Sequence, residues 1–110
     1  MRDEEVVGVG LRDPLPAEEV ARRLASIGWS GDTRQISKSY SIDYDSAMRA
    51  VAEIAQVAIE LEHRPDIDIR WDFLRITMTT HTSGDVVTEL DFLLATRINE
   101  IVEKHGDATT

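Results

Sequence analysis

The sequence predicts an α+β domain in which three helices cover one face of a four-stranded antiparallel sheet, in the order α-β-β-α-β-β-α. Three observations point to it. Apolar residues recur at helical spacing in three separate stretches, short alternating segments lie between them, and glycine, proline or a capping residue marks each change of period. With 110 residues and 42% hydrophobic content, the chain is long enough for one core and too short for two. Residues 1–14 read as an N-terminal extension, 15–106 as the domain and 107–110 as a tail.

Within the extension, Gly8-Val9-Gly10 has no preceding strand and no third glycine, so it reads as linker rather than a phosphate-binding turn. A first helix is expected from Pro16, with proline at its first position and Glu18 and Glu19 in its first turn. Val20, Leu24 and Ile27 lie along one side, and Gly28 is the stop. Gly31-Asp32 marks a turn. Ile36, Tyr40 and Ile42 then alternate with Ser37, Ser39 and Ser41, a half-buried strand whose apolar face Lys38 interrupts.

Asp43 or Asp45 caps a long second helix reaching about Glu62. Its apolar positions Ala47, Met48, Val51, Ile54, Ala55, Val57, Ala58 and Ile59 exceed the stripe that one core requires, so part of this helix is expected to face another subunit, giving a dimer or tetramer. Pro65 ends it. Ile67, Ile69 and Trp71 alternate with Asp68, Arg70 and Asp72; Leu74, Ile76 and Met78 alternate with Arg75, Thr77 and Thr79. These are two strands joined by a tight turn, with Trp71 expected in the core beside Ile67 and Ile69. A last helix starts at Thr88, where Thr88-Glu89-Leu90-Asp91 is a capping box and Val87 with Phe92 a hydrophobic staple, and ends near Gly106.

Composition excludes several classes of function. A net charge of −9 offers no basic footprint for nucleic acid. Without cysteine there is no disulfide, thiolate chemistry or cysteine-ligated metal. No apolar run approaches a membrane span, and Met1-Arg2-Asp3-Glu4-Glu5 lacks the basic start of a secretory signal, so a soluble cytoplasmic protein is expected.

The most informative residues are His63-Arg64-Pro65, Trp71 six past the proline and His81 ten past the tryptophan. Histidine titrates near working pH, so two that converge on one site are candidate acid and base. Singly, each has a plain structural explanation: His63 as a charge at a helix end, His81 as a strand-end residue.

The run Glu60-Leu61-Glu62-His63-Arg64-Pro65-Asp66-Ile67-Asp68-Ile69-Arg70-Trp71, continued by Thr79-Thr80-His81 and closed by Asp91, resembles the pterin-4a-carbinolamine dehydratases, also called 4a-hydroxytetrahydrobiopterin dehydratases. The resemblance extends from about Leu15 to about Val102. Two positions depart from the family pattern: Arg64 stands where His or Asn follows the first histidine, and Ile59 where an acidic or basic residue precedes it by four. Both departures are expected at the site.

The resemblance implies the same α+β fold and loss of water from a tetrahydropterin hydroxylated at C4a. An acid protonates the departing hydroxyl and a base takes the N5 proton. His63 is the implied general acid and His81 the complementary acid or base, their roles depending on which face of the substrate carries the hydroxyl. Arg64, Pro65, Thr80, Thr82 and Ser83 are the implied substrate-binding segment. Trp71 and Asp91 are structural support, the capping box sufficing to explain Asp91. Pterin is the substrate, and no cofactor is implied. No metal site is expected, since no candidate ligand pair has helical i, i+4 spacing. An aromatic amino acid hydroxylase is a candidate partner. The alternative, from a different class, is a non-catalytic binding or assembly module on this fold, which Arg64 and Ile59 would favour.

Overall fold

The computed structural model describes residues 10–106. Helix α1 spans Ala17–Ile27, one residue later than expected, because Pro16 sits at the cap with extended backbone (φ −70°, ψ 155°) instead of inside the first turn. It ends at Gly28, whose left-handed φ of 76° lets its N–H reach the Leu24 carbonyl, a geometry that costs glycine nothing. Helix α2 spans Tyr44–Leu61, and Asp43 is its cap. The Ser46 amide donates to the Asp43 carboxylate at 3.0 Å and holds that carboxyl below its ordinary range.

The sheet comprises β1 (Ser30–Gly31), β2 (Ile36–Ser41), β3 (Asp66–Arg70) and β4 (Phe73–Met78), arranged β1-β2-β4-β3 with every pair antiparallel. The first strand is only two residues long, which is why alternation could not reveal it. Ile36, Leu74, Ile76 and Met78 are buried and Ser39 and Arg75 exposed, so one face of the sheet carries the helices. Helix α3, Glu89–Gly106, packs closely against α2. Ala47, Ala50, Ile54 and Ala58 of α2 share the core with Phe92, Ala95, Ile98 and Ile101 of α3. Lys38 does not spoil the apolar face: its Nζ leaves it to donate to the Gly28 carbonyl at 3.0 Å.

One expectation is corrected. Trp71 is 79% exposed and lies outside the core. Because Arg70 pairs with Phe73, Trp71 and Asp72 are the two-residue loop of the β3–β4 hairpin, and a loop residue leaves the sheet face to which alternation assigned it. Residues 10–14, at the end of the expected extension, contact the domain. Leu11 accepts the Leu90 amide, Pro14 bridges Thr88 and Leu15 donates to Val87, which lays this segment along the start of α3. Gly8 and Val9 lie outside the described residues.

Candidate active site

Helix α2 stops four residues before Pro65. Glu62 takes the left-handed conformation (φ 54°), its N–H reaching the Ile59 carbonyl while the His63 N–H reaches Ala58 at 3.0 Å. This paired closure normally favours glycine at the left-handed position. Here it turns the chain so that the next side chain, His63, points into the domain, where it is 7% exposed.

His63 Nε2 lies 2.6 Å from Asp91 Oδ1. Asp91 is fully buried. Its second oxygen accepts the Thr88 amide at 2.9 Å, one half of the expected capping box, and the Leu90 amide donates to Thr88 Oγ1 at 3.2 Å as the other half. That oxygen also accepts the Thr80 hydroxyl at 2.7 Å. One carboxylate thus starts α3, anchors the end of β4 and holds His63. With Nε2 donating to Asp91, Nδ1 is left without a partner among the described residues.

His81 opens a short 3₁₀ turn, His81–Ser83, and its side chain is 71% exposed. Nδ1 meets Asp85 Oδ1 at 2.6 Å, and Nε2 has no partner among the described residues. Asp85 also has a left-handed backbone (φ 61°). Among the described residues Glu62 and Asp85 are the two non-glycine residues with positive φ, and each adjoins or holds one of the histidines. Strain of this kind, on the order of 1–3 kcal/mol per residue, persists where surrounding contacts enforce it and concentrates at functional sites.

Both histidines line one pocket of about 190 Å³, together with Arg64, Thr82, Thr79, Glu62 and Arg12. Arg64 is exposed and makes no hydrogen bond or ion pair among the described residues. Thr80, expected to contact substrate, is instead 1% exposed beneath the site. Its hydroxyl serves Asp91 and Thr88, and its carbonyl accepts the Ser83 and Asp85 amides, so it positions the His81 turn. Ser83 and Pro65 are not among the lining residues, and the Ser83 hydroxyl donates to the Arg12 carbonyl. Ile59 is 53% exposed on α2 and is absent from the wall of this pocket. Among the described residues no three His, Asp or Glu side chains gather as a metal site.

Arg12 is the residue that sequence reasoning missed. Its Nε donates to Thr82 Oγ1 at 3.3 Å and a terminal nitrogen to the Glu62 carbonyl at 3.2 Å, linking the residue before His63 to the residue after His81. No local signal marks it, since these contacts span 70 and 50 positions.

A family described as pterin 4 alpha carbinolamine dehydratase matches residues 13–101. A Streptomyces avermitilis protein named as a pterin-4-alpha-carbinolamine dehydratase is 41% identical over 96 residues, covering 86% of this chain and 95% of its own length. Among solved structures, a Brucella melitensis protein titled transcriptional coactivator/pterin dehydratase superposes with a TM-score of 0.76 at 28% identity, covering 82% of this chain and 99% of that one. A pterin dehydratase-like protein titled a RuBisCO assembly factor of the alpha-carboxysome superposes with a TM-score of 0.54 at 18% identity, covering 67% and 86%, and shares the fold. With the match spanning most of the domain and its motif histidines gathered in one pocket, the chain belongs to the pterin 4 alpha carbinolamine dehydratase family of hydro-lyases.

Proposed function

We propose that the protein dehydrates pterin-4a-carbinolamines such as 4a-hydroxytetrahydrobiopterin to the quinonoid dihydropterin, with His63 and His81 exchanging the protons. The C4a–O bond breaks, its oxygen leaving as water with a proton from one imidazole. The N5–H proton passes to the other imidazole as the C4a=N5 double bond forms. Nothing is oxidised or reduced, so the step as written calls for no redox cofactor. Each positioned proton transfer typically contributes ~10²–10⁴-fold.

One observation carries this reading: the two histidines share a pocket, and each has one ring nitrogen tied to a carboxylate and the other without a partner among the described residues. Asp91 and Asp85 act as positioning groups that set which nitrogen faces the substrate. Arg64 and Thr82 supply hydrogen-bond donors for the substrate. The product would return to a reductive recycling step serving an aromatic amino acid hydroxylase in the cytoplasm.

A stopped-flow assay on freshly generated 4a-hydroxytetrahydropterin tests the proposal. Wild type should exceed the spontaneous rate, and His63→Ala and His81→Ala should lose most of the excess. A wild-type rate equal to the spontaneous one would overturn the enzymatic reading in favour of a binding or assembly module.

A further inference from the structure

Two walls of the pocket are arginines that stand outside the family pattern. Arg12 precedes the family match, which begins at residue 13, and Arg64 replaces the motif His or Asn. The protein as a whole is acidic, at −9, and several of its cations meet a carboxylate, Arg23 with Glu89, Arg70 with Asp68 and Lys104 with Glu53, while Arg34, Arg49 and Arg75 make no such pair among the described residues. Among the described residues neither Arg12 nor Arg64 comes within ion-pair distance of a carboxylate, although Glu62 shares their pocket.

Arg12 is also held in place. The Ser83 hydroxyl donates to its carbonyl, the Leu90 amide donates to Leu11 beside it, and its guanidinium rests on two neutral acceptors, Thr82 Oγ1 and the Glu62 carbonyl. These contacts occupy Nε and one terminal nitrogen and leave the rest of the fork open. Arg64 has all five of its donors open among the described residues. Two guanidinium groups on one pocket, neither paired with a carboxylate among the described residues, attract and hydrogen-bond an anion.

The imidazoles address the pterin ring where C4a and N5 react, so a charge on the substrate must sit on its side chain. We propose that this site prefers pterins whose side chain carries an anionic group, a phosphate ester or a carboxylate, over pterins with a neutral hydroxyalkyl side chain. The inference rests on the dehydratase reading above for the class of ligand.

Equilibrium binding of non-reacting 7,8-dihydropterins to the full chain, followed by calorimetry, tests it with three side chains: neutral dihydrobiopterin, phosphorylated dihydroneopterin, and dihydrofolate with its glutamyl carboxylates. At low ionic strength the phosphate or the carboxylate ligand should bind about ten-fold more tightly than the neutral one, and the ratio should shrink as salt is added. Whichever anionic arm shows the larger ratio identifies the group. Arg12→Gln with Arg64→Gln should bring the ratio close to one, and Arg64→Gln alone, at an exposed position, should lower it. Equal binding of all three ligands, or a ratio that survives the double substitution, overturns the preference. If wild type dehydrates the neutral carbinolamine yet shows equal binding, only this inference fails; if none of the three binds, the dehydratase reading falls with it.

Discussion

Nε2 of His63 lies 2.6 Å from Oδ1 of Asp91 in the interior of the domain, although 28 positions separate them. The carboxylate belongs to the first turn of α3 and the imidazole to the turn after α2, so the packing of these two helices sets the orientation of a candidate catalytic group. A buried polar network of this kind is stabilising only while every member is satisfied.

Asp91→Asn should therefore impair catalysis more than binding. The amide keeps the shape but replaces one acceptor oxygen with a donor, which disfavours the ring state presenting Nδ1 as a base. A fall in kcat of about 10²-fold with little change in KM is expected from steady-state kinetics. Asp91→Ala should in addition unfold at lower temperature, since each buried partner it orphans costs about 1–3 kcal/mol. A wild-type kcat in Asp91→Asn would remove Asp91 from the mechanism.

His63→Ala and His81→Ala should each slow dehydration of a preferred stereoisomer by roughly ten- to a thousand-fold, with the double variant slowest. His81 is exposed, so His81→Ala should leave the thermal midpoint unchanged. Stopped-flow rates on resolved stereoisomers of the carbinolamine check this. Equal rates for both isomers in both single variants would contradict the division of labour.

Arg64→His restores the residue of the family pattern and should keep or raise activity on the neutral carbinolamine. Arg64→Ala should mainly raise KM, because arginine does not titrate near neutral pH and serves here as a donor. A wild type with no activity that becomes active as Arg64→His would mark the chain as a lapsed enzyme retained for its binding surface.

Self-association through α2 is expected. Ala47, Ala50, Ile54, Val57 and Ala58 face the core, while Tyr44, Met48 and Ile59 remain 47%, 43% and 53% exposed. With Val51 and Ala55 they form a second apolar stripe at spacings of three and four. Sedimentation at micromolar concentration should show a dimer or tetramer, and Ile59→Glu should shift it toward monomer. A wild type sedimenting as a monomer throughout would refute this.

Trp71→Ala should change stability by no more than about 0.5 kcal/mol, because the side chain is exposed and the hairpin loop contributes through backbone. The Trp71 and Asp72 carbonyls accept the Tyr44 and Ile42 amides, contacts that alanine preserves. Chemical denaturation of the monomeric Ile59→Glu background isolates the effect from assembly.

What the sequence by itself determined is local. Asp43 or Asp45 and Thr88 mark where helices begin, with the structure selecting Asp43, Gly28 marks where one stops, and Leu74, Ile76 and Met78 which face of a strand is buried, because each signal acts between residues a few positions apart. The histidine spacing, through its family resemblance, named the two residues that share the pocket. Tertiary structure decided the rest. It gave Asp91 a second role beyond its capping box, moved Thr80 from the expected substrate wall to the support beneath it, released Trp71 into a hairpin loop and brought Arg12 to the rim. Each depends on the second use of a side chain or on the end of a register, and neither is written in periodicity: a carboxylate's spare oxygen, a hydroxyl's direction and a guanidinium's reach take their partners only once distant elements have packed.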